Sequence, residues 1–259
     1  MLRQPIPLTP SEARILANCS LHYYFDQQTG SSVDPAQTAW DEAVREALQA
    51  LHAAGGPARL PLEQFLAGQA DQPLLRSILE RYYHRLAQDW RQMIAGNETL
   101  GLKITIGGIP VLLRGTVDRL DKTSDGGILA VLFRTEPGPL PAAAELRQDH
   151  AMTVFHALVA ANYPHKRPVR LQEAWLQLDQ SVTIELSEEE YRQNLVQLRE
   201  PIQALARGQV RARPGLHCEL CPFKYRGCPV YAHEQNDEND LASTPLEGKI
   251  PRRQWTFKI

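Results

Sequence analysis

The sequence predicts an α/β fold in which strands and helices are interleaved along the chain. Two kinds of hydrophobic period carry that prediction. Leu74, Leu75, Ile78, Tyr82, Leu86, Trp90 and Met93 recur at three- and four-residue steps, the spacing of one helix face. Further on, Leu102, Ile104 and Ile106 alternate, as do Ile109, Val111 and Leu113, which is the spacing of strands. Helical and strand-like segments then follow one another toward the C-terminus, so neither type is segregated into one half.

The first element is a helix in "PLTPSEARILANCSLHYYFDQQTG", with Ser11 as its N-cap and Ala13, Ile15, Leu16 and Cys19 on a largely apolar surface. Tyr23, Tyr24 and Phe25 read as core packing. A polar gap marked by proline precedes a helix around Trp40 to Leu51, and Gly55, Gly56 and Pro57 mark the next turn. With the amphipathic helix that ends near Met93, residues 36–96 form a helical lobe.

Gly107 and Gly108 turn the chain between two alternating strands. The strand ending at Asp118 and the strand Ile128 to Phe133 extend the pair into a meander. A helix is expected around Leu146 to Ala160, and "VRLQEAWLQLDQSVTIEL" supplies two further strands. Ser187 and Glu190 form a capping box for a helix reaching about Leu205. Residues 1–232 therefore read as a single domain, with a core at about 97–210 and a cysteine-bearing segment at 215–230. Residues 233–259 read as an acidic flexible segment and a tail, "RRQWTFKI", that regains apolar character.

A chain of 259 residues can bury a full core. Its net charge of -2 gives no global attraction to nucleic acid, so a nucleic-acid partner requires a local basic surface. The N-terminal stretch lacks the apolar run of a signal peptide, and no run approaches eighteen apolar residues. A cytoplasmic protein without a membrane partner is expected.

"GLHCELCPFKYRGCPV" sets Cys218, Cys221 and Cys228 in a Cys-x2-Cys-x6-Cys array, and Cys19 is the one other cysteine in the chain. In a chain without an export signal this points to metal ligation rather than disulfides. Soft thiolates suit zinc or an iron–sulfur cluster, and the residues alone leave that choice open. Joining Cys19 to the C-terminal trio would staple the two ends of the domain together. His217 is a further possible zinc ligand, although four cysteines already complete a tetrahedral set.

A cysteine following a helix-starting serine in "SEARILANCSLHYYF", the hairpin "GTVDRLDKTSDGGILAVLFRTEPG" and the late cysteine array together resemble the RecB-type branch of the PD-(D/E)XK nuclease superfamily. The similarity is greatest to its iron–sulfur members: AddB-type C-terminal domains, Dna-two-type helicase–nucleases and CRISPR-associated spacer-acquisition nucleases. It spans Ser11 to Cys228. It implies a restriction-endonuclease-like core, a central mixed sheet flanked by helices with an early helical insertion. It also implies a four-iron four-sulfur cluster held by Cys19, Cys218, Cys221 and Cys228. Ser20 replaces the proline that usually follows the first cysteine in the family.

The family hydrolyses DNA with Mg2+ or Mn2+ held by carboxylates, assisted by a lysine. Carried over residue by residue, Asp118 matches the first metal-binding aspartate. Leu132 stands at the second acid, Arg134 at the lysine and Arg45 at an early histidine; Gln148 retains the family glutamine, while Met152 replaces a tyrosine. A divalent ion held by Asp118 alone lacks most of its oxygen ligands, and Arg45 adds positive charge that repels a cation and can instead pair with Asp118. Glu98 and Glu136 are the acids that could lean in as substitutes, Asp121 could equally be a turn acid, and His150 is as readily a surface residue as a functional one.

The resemblance with these losses implies a catalytically degenerate protein that retains the cluster and serves as a DNA-binding or scaffolding subunit in recombination, repair or defence, with a helicase or other repair or defence protein as partner. DNA contacts would come from "RGQVRARPG" and "KYRG". The alternatives are an active Mg2+- or Mn2+-dependent exonuclease with a displaced ligand, and a protein-interaction module without DNA binding.

Overall fold

The computed structural model describes residues 4–29, 35–69 and 72–231, so the segment from 233 onward lies outside the described residues. Strand β1 (Ile6–Leu8) runs into helix α1 (Pro10–Asn18). The N-cap is Thr9 rather than Ser11: its hydroxyl accepts from Glu12 N at 3.3 Å, and the Glu12 carboxylate accepts from Thr9 N at 2.7 Å. Pro10, whose missing N–H costs nothing in the first turn, takes the opening helical position. Helix α2 (Ser20–Thr29) follows, then α3 (Pro35–Ala53), the short α4 (Leu62–Leu66) and α5 (Pro73–Asp89).

Helix α5 stops at Asp89. A 3-10 turn, Trp90–Gln92, leads directly into β2 (Met93–Ile106). The helical period was expected to run to Met93 because Trp90 still packs against the apolar cluster of the helical region, and side-chain spacing does not register where the backbone ladder ends. Gly107 and Gly108, at φ 57° and 81°, make the left-handed turn that side chains with a Cβ resist. Strand β3 (Ile109–Lys122) continues past Asp118, and Asp121 lies buried within it rather than in a turn. Strand β4 (Ile128–Arg134) completes the meander.

The single helix expected near Leu146 is two, α6 (Ala143–Gln148) and α7 (His150–Asn162). Asp149 separates them, and its carboxylate caps α7 through Ala151 N at 2.7 Å. Strands β5 (Val169–Trp175) and β6 (Gln180–Glu185) precede α8 (Glu188–Ala206), whose Ser187–Glu190 capping box is formed as expected.

The sheet is mixed, in the order β1-β3-β4-β5-β6 with β2 on the far edge of β3. β1 and β3 are parallel, as are β4 and β5; the other pairs are antiparallel. One face buries Leu16, Leu113, Leu158 and Ile202 beneath α1, α7 and α8. The other packs Val131, Phe133 and Ala174 against Val44, Leu48, Leu75 and Leu79 of the early helices. This is an α/β fold of central mixed sheet, flanking helices and early helical insertion.

A polar chain threads the second interface. Arg119, ion-paired with Asp121 at 2.8 Å, donates through Nη1 to the Tyr82 hydroxyl at 3.1 Å, and that hydroxyl lies 2.8 Å from His52 Nε2. With Arg119 donating to the hydroxyl, Tyr82 is free to donate its own proton onward to a neutral His52 ring. Burial first, then the Arg119 charge, pushes the His52 pKa down to about 4, while burial pushes Tyr82 up to about 12. The unfolded chain takes up this proton below about pH 6.5 and the folded chain resists it to about pH 4. Stability is therefore lost as pH falls through that window, and urea melts across it are expected to flatten by about one proton in His52→Gln.

Candidate functional site

The edge of β3 opposite β2 is shared by two strands. β1 lies opposite Val111–Leu113, and β4 lies opposite Arg119–Lys122. Residues 114–118 have no strand partner between them on that edge. The gap opens into a cleft of about 540 Å³ lined by Arg14, Arg45, Arg114, Asp118, Leu132 and Arg134. Here the core-facing phase of β3 slips: Val111, Leu113 and Val117 enter the core, and after Asp118 it is Leu120 that does so. Asp118 sits at the slip.

Where the β3–β4 ladder stops, Phe133 is left with an N–H and a C=O to satisfy. Asp118 Oδ2 accepts the N–H at 2.7 Å, and Arg45 Nη2 donates to the C=O at 2.9 Å. Arg45 Nη1 donates to Asp118 Oδ1, and its Nε donates to Asp41 Oδ2 at 2.9 Å. Thr135 Oγ1 then donates to Asp41 Oδ1 at 2.8 Å. Each nitrogen of the guanidinium thus meets a different oxygen, two from carboxylates and one from the backbone. Burial disfavours the Arg45 charge, but Asp118 and Asp41 outweigh it and hold the pKa above the ordinary value. Burial pushes the Asp118 carboxyl up against the pull of Arg45 and the Phe133 N–H.

One strand further, Leu132 is in register with Glu173 of β5. Glu173 is only 2% exposed. It accepts from Arg134 Nε at 2.9 Å and again from Nη2, and Arg14 approaches it to 3.9 Å. Arg14 is also held by Asp149, at 3.0 Å through Nε and 2.5 Å through Nη2. Glu173 is two strand spacings from Asp118, about 10 Å at the backbone, with Leu132 on the strand between.

Asp41 and Glu173 escaped the sequence reading. Asp41 is four residues before Arg45 on one helix, an ordinary surface spacing. Glu173 did carry a signal, since it falls in phase with Val169, Leu171 and Trp175 on an otherwise apolar face of its strand. The acids considered as substitutes serve elsewhere: Glu98 bonds Tyr163, and Glu136 accepts from Thr135 N at 3.1 Å. Gln148 is exposed at the end of α6 and does not line the cleft, and Met152 lies in the core.

The four cysteines, far apart in sequence, line one small pocket with His22, His217 and Phe223. None of the four is in a disulfide; Cys19 and Cys218 are buried, and Cys221 and Cys228 are half-buried. The segment leading to the trio is tied to the residues after the first cysteine by hydrogen bonds to the Arg211 main chain. Ser20 Oγ donates to Arg211 O at 3.2 Å and accepts from Arg211 N at 2.9 Å, and Leu21 N donates to the same carbonyl at 3.2 Å. A proline at position 20 could make neither hydroxyl bond. Phe223 packs on Phe25 and His22, with ring centroids 5.2 and 5.5 Å apart.

His22 N donates to Cys19 Sγ at 3.5 Å. Burial raises the Cys221 pKa, and the proximity of Cys19, Cys218 and Cys228 adds to it. If deprotonated together, four thiolates here would need a bound cation to offset their repulsion, which is the donor chemistry a thiolate-held metal centre uses. His217 Nε2 is buried there without a hydrogen-bond partner among the described residues. Among the described residues, no three His, Cys, Asp or Glu side chains close into a set around a single metal ion. Arg207, Arg211 and Arg213 line an adjoining groove of about 430 Å³ that shares Cys19 and Arg213 with the cysteine pocket and also contains Glu200.

No helix among the described residues is long and apolar enough to cross a membrane. No curated protein matches the sequence. A solved structure titled "Crystal structure of SSO0001" is similar at 11% identity over 89% of each chain, with a TM-score of 0.47, a degree of likeness from which nothing about function follows. The family described as PD-(D/E)XK nuclease superfamily matches residues 7–229. A match of that length, on a mixed sheet whose β3–β4 fork presents Asp118, places the chain in the PD-(D/E)XK nuclease superfamily.

Proposed function

We propose that this is a catalytically silent member of the superfamily, from its RecB-type iron–sulfur branch, that binds DNA or scaffolds a recombination, repair or defence assembly. The observation that carries the reading is the Arg45 guanidinium held by Asp41, Asp118 and the Phe133 carbonyl. An internal cation already sits among the oxygens a divalent ion would use, and Leu132 adds no further ligand. Arg134, bound to Glu173, keeps a positive charge but is a poor proton donor or acceptor.

The cysteine pocket supports the branch assignment. Cys19, Cys218, Cys221 and Cys228 would hold a four-iron four-sulfur cluster, whose contribution on this reading is structural. Residues 1–232 form one domain on the same reading, cytoplasmic and closed at the cluster by its own two ends.

A fluorescently labelled single-stranded DNA incubated with Mg2+ or Mn2+ tests the proposal. No cleavage above a metal-free control is expected. Metal-dependent cleavage that Asp118→Asn abolishes would favour the second reading, an active exonuclease. That reading draws on Glu173, an acid beside Leu132 that Arg134 now neutralises.

A further inference from the structure

The outer face of the β2–β3 hairpin leads from the turn at Gly107–Gly108 to the cleft. Asn97, Thr99, Gly101, Lys103 and Thr105 are exposed along β2, and Arg114 and Thr116 along β3. The register sets Thr99 opposite Thr116 and Gly101 opposite Arg114. The two threonine hydroxyls lie 3.0 Å apart. Alternate residues Leu100, Ile106, Val111 and Leu113 face the core, which leaves the intervening side chains to solvent.

This face holds two cations and no carboxylate before Asp118, which Arg45 already neutralises. Among the described residues neither Lys103 nor Arg114 has an ion-pair partner, in contrast to Arg14, Arg45 and Arg134. Arg114, Thr99, Thr116 and Asn97 also line the cleft, so hairpin face and cleft form one surface. From Pro110 to Asp118 that surface is about 27 Å long.

We infer that a single DNA strand lies along this face, its phosphodiesters meeting Lys103 and Arg114 and its leading nucleotide entering the cleft. Charge complementarity selects the ligand, since phosphates are the repeating anions that a row of cations and hydroxyls can track. The cleft favours one strand, because about 540 Å³ is the size of a small-molecule pocket, which takes up an unpaired nucleotide rather than a base-paired end. The groove at Arg207, Arg211 and Arg213 is the competing path. There Glu200 sits among the cations, and Arg213 is committed to the Ala17 carbonyl at 3.2 Å.

This inference rests on the DNA-binding reading above and adds the path. The test is fluorescence anisotropy with a labelled twenty-nucleotide oligothymidylate in EDTA, titrated at several salt concentrations. Lys103→Gln with Arg114→Gln, both at exposed positions, is expected to weaken binding about tenfold and to reduce the log–log salt slope by about 1.4. Wild-type affinity and slope in that variant, with loss in Arg207→Gln and Arg211→Gln, would overturn the path and leave DNA binding standing. Equal affinity for a duplex of the same length would overturn the single-strand assignment. No binding by the wild type at low salt would remove the inference together with the reading beneath it.

Discussion

Asp118→Ala is expected to destabilise the fold by about 2–3 kcal/mol in a urea melt. The carboxylate is buried, pairs with Arg45 and takes the Phe133 N–H that the end of the β3–β4 ladder leaves open. Truncation strands a guanidinium and a backbone donor together. The cost stays below that of a fully buried pair because the Arg45 side chain is 38% exposed and water reaches it. Asp118→Asn, which keeps an acceptor, should lose about half as much, and a double-mutant cycle with Arg45→Ala should show coupling above about 1 kcal/mol.

The sign of this result separates two histories of the same residue. A carboxylate kept for metal catalysis sits in a site of stored repulsion, and removing it commonly leaves stability unchanged or raises it. A carboxylate that closes a gap between strands does the opposite. If Asp118→Ala proves as stable as wild type, the Arg45–Asp118 pair is not a structural clasp, and the argument for a silenced site loses its main support.

The second large effect is expected at the cysteines. Cys19→Ser should abolish metal incorporation and destabilise the protein by about 5 kcal/mol, because the proposed link from Cys19 to Cys218 would close a loop of about 200 residues. Anaerobic purification should give about four irons per wild-type chain, with matching sulfide. Stoichiometric zinc without iron would rule out the cluster while keeping the staple. Retained iron and an unchanged melt in Cys19→Ser would rule out the staple and Cys19 as a ligand, since the N-terminal cysteine would then hold nothing.

Much of the fold could be read from periodicity. The meander, its Gly107–Gly108 turn and the capped helix after Ser187 all rest on near-neighbour rules, and all are present. The errors fell at boundaries. Thr9 rather than Ser11 caps α1, Asp149 divides one expected helix into two, and β2 begins at Met93, where the helical spacing of side chains still runs. Each turns on a backbone hydrogen bond that side-chain spacing does not report.

For the site, the sequence alone named Asp118, the substitutions at Leu132, Arg134 and Arg45, and the four cysteines, because each stands at a recognisable place in a linear pattern. It also allowed that Arg45 could turn toward Asp118. Only the tertiary structure decided what these residues touch. It brought Arg45 to Asp118 across 73 positions and Glu173 to Arg134 across 39. It also added Asp41 as the third oxygen group on the guanidinium and left the edge of β3 open between β1 and β4. Spacing along a chain records which residues share a face of one element. Which side chain fills the gap between two strands depends on how separate elements pack, and no local period carries that information.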